Sequence, residues 1–446
     1  MAKKPDLSVE FCGKRFINPF LLSSSPVSNT AEMIERAFEH GFGGVVYKSL
    51  GSPNVEIIHP APRMQGYTAS GARLVGVQNV EQTTDRSLKD NLADIEYLKK
   101  AWPDRVIIVS IMGFAANEWK ELAIAAQGAG ADMLELNFSC PHMAVEGAGM
   151  KVGQSFGLVQ RFTEIVRRQA KVPIIAKLTS NVADICEPAS HAKKGGADAI
   201  TAINSVRALT EVGLDDFVPK PNVFGRGSMS GYTGPGIKPI GLRCIAELAS
   251  DKDLGLPLSG CGGIETWVDA VEYMLCGATT LQMTTGVIHY GYRIVEDMIE
   301  GLSDYLVKKG FQRAGDLIGA AIPNMCPTSE LDISRQGAAS YDLERCIGCG
   351  QCYTVCRDAG AGTLGWDAVK RRPIPDEERC YSCMVCSFVC PVSSPPVITF
   401  KEVKGKSPYI AQPRQEPKRR KPASPVARLR EPEHTRRNRS STAGKA

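Results

Sequence analysis

The sequence predicts an α/β protein, a (β/α)8 barrel followed by a small α+β module and a disordered basic tail, and three observations carry that prediction. Eight short β-rich apolar runs alternate with amphipathic helical stretches between residue 18 and about residue 310, the rhythm of strand–helix units that close a parallel barrel. Two four-cysteine runs of identical spacing follow within residues 346–390. Residues 401–446 then hold 14 Lys and Arg against 4 Asp and Glu, with too few large apolar residues to bury a core.

The strand candidates, in order, are PFLLSSS (19–25), GGVVYKS (43–49), VIIVSIM (106–112), DMLELNFS (132–139), PIIAKLT (173–179), AITAIN (199–204), LPLSGCGG (256–263) and TTLQMTTG (279–286). Between most of them lie stretches apolar at helical spacing and often closed by glycine, such as TAEMIERAFEHG, NEWKELAIAAQGAGA, SFGLVQRFTEIVRRQA, TWVDAVEYMLCG and RIVEDMIEGLSDYLVKKG. A doubly wound open sheet is the main alternative, but it needs a dinucleotide fingerprint. GRGSMSG (225–231) and GAGMKVG (147–153) only approach G-x-G-x-x-G, and neither follows a strand and opens a helix. The domains expected are therefore a barrel over residues 1–310, a short helix and linker over 311–340, a cysteine module over 341–403 and a tail over 404–446.

Each predicted strand ends in polar or glycine residues: Ser23 and Ser24, Lys48, Asn137, Lys177, Asn204 and Ser205, Gly262 and Gly263, Thr284 and Thr285. Any one of these reads as an ordinary turn residue, but their recurrence at equivalent positions points to a shared pocket at the carboxyl rim, where barrels build their active sites. Cys140, just beyond the fourth strand in NFSCPHM, is core filler, a metal ligand or a catalytic group on sequence alone.

Cys346, Cys349, Cys352 and Cys356 stand as C-x2-C-x2-C-x3-C, and Cys380, Cys383, Cys386 and Cys390 repeat the spacing with Pro391 next. Thiolates so spaced hold two 4Fe-4S clusters in a ferredoxin-like module, the fourth cysteine of each run reaching the other cluster. One cluster then takes Cys346, Cys349, Cys352 and Cys390, and the other takes Cys380, Cys383, Cys386 and Cys356. Zinc knuckles use longer gaps between pairs and often histidine. Arg357 stands where proline often follows the fourth cysteine. Two clusters make an electron wire, which needs a donor and an acceptor. A flavin mononucleotide (FMN) in the barrel meets that need, its phosphate near SGCGGIE and QMTTG and Lys177 stabilising the reduced ring.

The segments LELNFSCPHM, AKLT, AINS, SGYTGPGIKPIGLR and GGIETW together resemble the dihydroorotate dehydrogenase-like flavin barrels. With the cysteine module behind them, they resemble most the FMN and iron–sulfur catalytic subunits of bacterial NAD-dependent dihydropyrimidine dehydrogenases. The resemblance covers about residues 5–400 and implies a TIM barrel. It places flavin contacts on Ser24, Lys48, Asn137, Lys177, Thr233, Gly234, Gly262, Gly263, Thr284 and Thr285, and pyrimidine contacts on Asn79, Asn137, Asn204 and Ser205, the last often Thr in the family. It makes Cys140 the general acid/base in the reversible reduction of the 5,6 double bond of uracil or thymine. Carboxamides suit such a ring because they both donate and accept hydrogen bonds. A nucleophilic Cys140 would need a neighbour such as His142, and Gly147, Gly149 and Gly153 suggest a lid over the site. A dihydroorotate dehydrogenase and a non-catalytic electron-transfer module remain as alternatives.

The net charge of +5 belongs to the tail: subtracting its 14 basic and 4 acidic residues from 53 and 48 leaves 39 against 44, about −5 for the body. That excludes a basic nucleic-acid-binding face on the folded part. No run of eighteen apolar residues and no secretory h-region occurs, so the expected compartment is the cytoplasm, away from membranes. The missing dinucleotide fingerprint implies a partner subunit carrying FAD and NAD, hence a hetero-oligomer. Cys12, Cys186, Cys244, Cys261, Cys276 and Cys326 lack partner spacing and read as buried small hydrophobes.

Overall fold

A computed structural model describes residues 4–52, 54–69, 73–141 and 148–406 and separates the chain into two compact units, Met1–Met325 and Cys326–Ala446. In the first unit, eight parallel strands close a barrel in sequence order: β1 (Phe20–Leu22), β2 (Gly44–Leu50), β3 (Val106–Ile111), β4 (Met133–Asn137), β5 (Ile174–Leu178), β6 (Ala199–Ala202), β7 (Leu258–Cys261) and β8 (Ala278–Met283). The circle closes where Leu281, Gln282 and Met283 pair with Phe20, Leu21 and Leu22. Every residue of β1 to β8 is buried. Such strands face the barrel interior on one side and helices on the other, so they read as continuous apolar runs. All eight match the expected runs.

Eight helices cover the outside: α1 (Ala31–His40), α2 (Leu88–Ala101), α3 (Ala116–Gly128), α4 (Phe156–Arg167), α5 (Cys186–Lys194), α6 (Lys238–Ser250), α7 (Trp267–Leu275) and α8 (Ile294–Lys309). Their ends follow local chemistry. Thr30 caps α1 by accepting from Met33 N–H, and Gly41, at φ 110°, lets the chain turn away in a left-handed conformation costly for other residues. At the wall behind β4, Trp119 of α3 stacks on Phe162 of α4 at 5.5 Å and lies 5.2 Å from Phe138. Phe138 is fully buried there, worth about 1.5–3 kcal/mol of apolar transfer. That anchor fixes the residues on either side of it, Asn137 and Ser139.

Two features outside the barrel were not expected. Val9–Phe11 and Lys14–Phe16 form a hairpin, and an antiparallel sheet runs Val206–Ala208, Ser230–Thr233, Arg73–Asn79, Met64–Ala69. Its centre pairs Asn79 with Gly231 and Val77 with Thr233, so loops after β2 and β6 meet across about half of the barrel's sequence. Gln78, fully buried in this sheet, donates to Ser230 Oγ at 2.8 Å and accepts from Thr210 N–H at 2.8 Å.

The expected linker also differs. Residues 311–325 group with the barrel, because Asp6 N–H donates to Gln312 O at 2.9 Å and Ala314 N–H to Asp6 O at 2.8 Å. In the second unit, Gly337–Tyr341 pairs antiparallel with Ile398–Glu402, and Gly365–Asp367 with Arg372–Ile374. Helices Gln351–Ala359 and Val385–Phe388 complete it. Lys406 donates to the carbonyls of Gly337 and Cys380. The basic tail beyond it, residues 407–446, lies outside the described residues. Among the described residues no helix is long and apolar enough to cross a membrane.

Candidate active site

The carboxyl ends of the strands open into a cavity of about 920 Å³. Its lining contains Ser24, Lys48, Asn79, Asn137, Cys140, Lys177, Asn204, Ser205, Thr233, Gly262, Gly263, Thr284 and Thr285. Every barrel position singled out in the sequence is therefore in this wall except Gly234, which stands behind it. Asn79 and Thr233 arrive from the overlying sheet rather than from barrel strands.

The carboxamides are tied together. Asn137 Nδ2 donates to Ser49 Oγ at 3.0 Å, and its Oδ1 accepts from Ser139 Oγ at 3.1 Å and Ser139 N–H at 3.2 Å. Asn204 Nδ2 donates to Ser139 Oγ at 2.9 Å, while its Oδ1 accepts from Ser205 N–H at 2.7 Å and Ser205 Oγ at 3.1 Å. Asn79 Nδ2 donates to Gly231 O at 3.1 Å. These bonds fix the orientation of the amides, and recognition of a planar polar ring needs that definition.

Both lysines have buried acidic neighbours that the sequence did not reveal. Lys48 Nζ is 3.0 Å from Glu81 Oε2. Burial pushes the Glu81 carboxyl up, but the Lys48 ammonium, His59 and Arg63 together hold it below its ordinary value. Lys177 Nζ donates to Gln282 Oε1 at 2.8 Å and Ser23 Oγ at 3.1 Å, and lies 3.4 Å from Glu135 Oε1. Glu81, Ser49 and Gln282 share the cavity wall. Their strand-end signals are weak, because only contacts across the barrel give them roles.

Opposite lies a backbone cradle. A Cβ on Gly263, at φ +73°, would stand 2.8 Å from Gly234 O and 3.0 Å from Lys238 N, and one on Gly234, at φ +107°, would stand 2.8 Å from Gly76 Cα. Only glycine fits these close approaches. Thr233 Oγ1 meets Thr285 Oγ1 at 3.0 Å beside them. A side-chain-free cradle with hydroxyls, two lysines and carboxamides in one cavity suits FMN: the cradle would admit a phosphate, and a cation in the cavity wall would stabilise the negative charge of a reduced ring.

Cys140 is 7% exposed and lines the same cavity; its carbonyl accepts from Met150 N–H at 3.0 Å. The lid expectation divides here. His142 and Gly147 lie outside the described residues, whereas Gly149 and Gly153 belong to a buried helix, Gly149–Gly153. A Cβ on Gly153 would stand 2.1 Å from Phe138 O, so this glycine serves packing. Of the six leftover cysteines, Cys244 is buried in the core and Cys12, Cys186 and Cys276 are only partly buried, while two depart further from the core-filler reading. Cys326 is exposed, and Cys261, at the end of β7, borders the cavity 3.8 Å from Ser23 Oγ. Burial pushes the Cys261 thiol above its ordinary value; it pushes the Cys12 thiol up to about 12.

In the second unit two hollows collect the remaining cysteines. One, of about 370 Å³, is lined by Cys346, Cys349, Cys352 and Cys390; the other, of about 400 Å³, by Cys356, Cys380, Cys383 and Cys386. The fourth cysteine of each run thus crosses to the other hollow. Among the described residues no three His, Cys, Asp or Glu side chains are disposed around a single ion. A cubane cluster needs a wider cage, since its four thiolates bind four irons, and Ala339, Leu364, Val397 and Ile398 give these hollows the apolar walls that suit one.

Residues 6–306 match the dihydroorotate dehydrogenase family, and residues 339–397 match the 4Fe-4S dicluster domain. The chain is 44% identical over 402 residues to the NAD-dependent dihydropyrimidine dehydrogenase subunit PreA of Escherichia coli (strain K12), covering 90% of this chain and 97% of that one. It is 34% identical over 347 residues to the chloroplastic dihydropyrimidine dehydrogenase (NADP(+)) of Arabidopsis thaliana, covering 75% and 81%. It is 39% identical over 320 residues to the catalytic subunit of dihydroorotate dehydrogenase B (NAD(+)) of Pyrococcus abyssi, covering 71% and 99%. The closed barrel, the rim cavity and the two cysteine cages accord with these matches, and the chain belongs to the dihydroorotate dehydrogenase family, with a 4Fe-4S dicluster domain at its C-terminal side.

Proposed function

We propose that the chain is the catalytic subunit of a cytoplasmic NAD-dependent dihydropyrimidine dehydrogenase, interconverting uracil or thymine with the 5,6-dihydro forms. The observation that carries this reading is the convergence of Asn79, Asn137, Asn204 and Cys140 on the cavity that also holds Lys48, Lys177 and the glycine cradle. Asn79, Asn137, Asn204 and Ser205 bind the alternating N–H and C=O groups of the pyrimidine. Ser24, Lys48, Asn137, Lys177, Thr233, Gly234, Gly262, Gly263, Thr284 and Thr285 hold FMN, which supplies hydride chemistry when bound. Cys140 Sγ gives the proton to the other carbon and recovers it in reverse, because an ordinary thiol, titrating near about 8.5, is protonated at neutral pH. The eight cage cysteines hold two 4Fe-4S clusters. Electrons enter from a partner subunit that carries FAD and NAD.

Dihydroorotate is the weaker substrate. Its carboxylate calls for a free cation, yet the cavity wall contains no arginine among the described residues, and its two lysines face Glu81 and Glu135. The deciding experiment reduces the purified protein anaerobically with a chemical donor and adds uracil, thymine or orotate while flavin absorbance is followed. Reoxidation by uracil or thymine is expected. Reoxidation by orotate alone would move the assignment to dihydroorotate, and by none of the three would leave an electron carrier. Rapid NADH oxidation by the isolated chain with uracil present would remove the need for a partner.

A further inference from the structure

We propose that Glu135, one layer below the cavity, is a positioning residue that sets how much positive charge Lys177 presents to the flavin ring and thereby sets the flavin's midpoint potential. This rests on the reading that the ring lies against Lys177. Residues two apart on a strand share a face, so β4 aims Asn137 into the cavity mouth and Glu135 into the barrel interior beneath it. Glu135 is fully buried. Its Oε2 accepts from Gln282 Nε2 at 2.7 Å and Thr201 Oγ1 at 3.0 Å, which leaves Oε1 without a hydrogen bond, 3.4 Å from Lys177 Nζ.

Gln282 links the two charges. Its Oε1 accepts from Lys177 Nζ at 2.8 Å and from Ser23 Oγ at 3.2 Å, while its Nε2 donates to Glu135. The amide therefore cannot turn over without losing bonds at both ends. The carboxylate thus both holds the ammonium and offsets its charge, in a buried interior where charges act strongly over short distances. A ring above this pair meets a nearly neutral site. Removing the carboxylate would add one net positive charge and stabilise the reduced, more negative ring. Adding a second carboxylate would do the reverse. A glutamine here could still accept from Thr201 and Gln282, so the carboxylate's distinct contribution is its charge beside Lys177.

The test measures the flavin midpoint potential of the FMN- and cluster-loaded protein by dye-coupled titration. Glu135→Gln is expected to raise it by at least a tenfold change in the reduced-to-oxidised ratio, about 30 mV for a two-electron couple. Gln282→Glu is expected to lower it, and opposite signs from neighbouring substitutions are not what a loss of packing produces. An unchanged or lowered potential in Glu135→Gln overturns the inference. If that variant retains no flavin, the sign in Gln282→Glu decides, and an unchanged or raised value overturns it. Lys177→Met separates the underlying reading. A potential unmoved in that variant means the ring does not lie against Lys177, whereas a lowered potential there with no response in Glu135→Gln rejects Glu135 alone.

Discussion

Lys48 Nζ donates to Glu81 Oε2 across 3.0 Å with both side chains buried, so the cation at the rim of β2 is neutralised within the cavity wall. His59 Nε2 stands 3.7 Å from the same carboxylate oxygen, and burial holds the His59 imidazole below its ordinary value of 6.5. Glu81 is likewise below its ordinary 4.5. When folded values are depressed, the unfolded chain binds more protons, and stability is lost as pH falls. The loss should begin below about pH 6.5 through His59 and continue below 4.5 through Glu81. Thermal melts from about pH 7.5 to about pH 3 should show His59→Phe flattening the upper part of this slope and Glu81→Gln the lower part. Glu81→Gln should also cost about 3–5 kcal/mol at neutral pH, because it leaves Lys48 buried without its counter-charge.

Cys140→Ser should slow turnover by about two or more orders of magnitude, the usual contribution of a positioned general acid. Flavin and cluster absorbance should be unaltered, because all eight cage cysteines lie in the other unit. Loss of cluster absorbance would make Cys140 a ligand instead.

Ser139 is fully buried and joins Asn137 to Asn204 through one hydroxyl. Ser139→Ala should leave the fold intact but release Asn204 Nδ2, at about 1–1.5 kcal/mol for a lost hydrogen bond. Steady-state kinetics should show kcat/KM for uracil down about tenfold, most of it in KM, with normal flavin content. A wild-type KM would mean that the two amides are oriented without this bridge.

Cys390 follows Cys380, Cys383 and Cys386 in sequence but shares its hollow with Cys346, Cys349 and Cys352. Cys390→Ala should therefore remove the cluster of the first run and spare that of its own run. Iron per chain should fall by about half, from about eight. Combining it with Cys352→Ala should remove no further iron, whereas combining it with Cys383→Ala should remove the rest. The reverse pattern would assign each run its own cluster.

The barrel was legible because its strands are buried on both faces, which leaves unbroken apolar runs, and because seven of the eight runs end in polar or glycine residues at one rim. The cysteine cages were legible because most of the cysteines in each are close in sequence. Asn79 and Thr233, and the role of Cys140, came instead from the family resemblance: Asn79 and Thr233 end strands of a sheet that pairs loops remote from each other in the chain. Local periodicity carries no record of such pairing.

The chain order of residues therefore already contained the architecture, the rim positions and the cage cysteines. Tertiary structure alone decided how those positions are charged and oriented. Glu81 and Glu135 became the partners of Lys48 and Lys177, Ser139 became the bridge between two amides, and Cys261 left the core for the cavity wall. The physical reason is that a buried charge or amide is defined by the groups within about 3–4 Å of it, and in a closed barrel those groups come from strands far apart in the sequence.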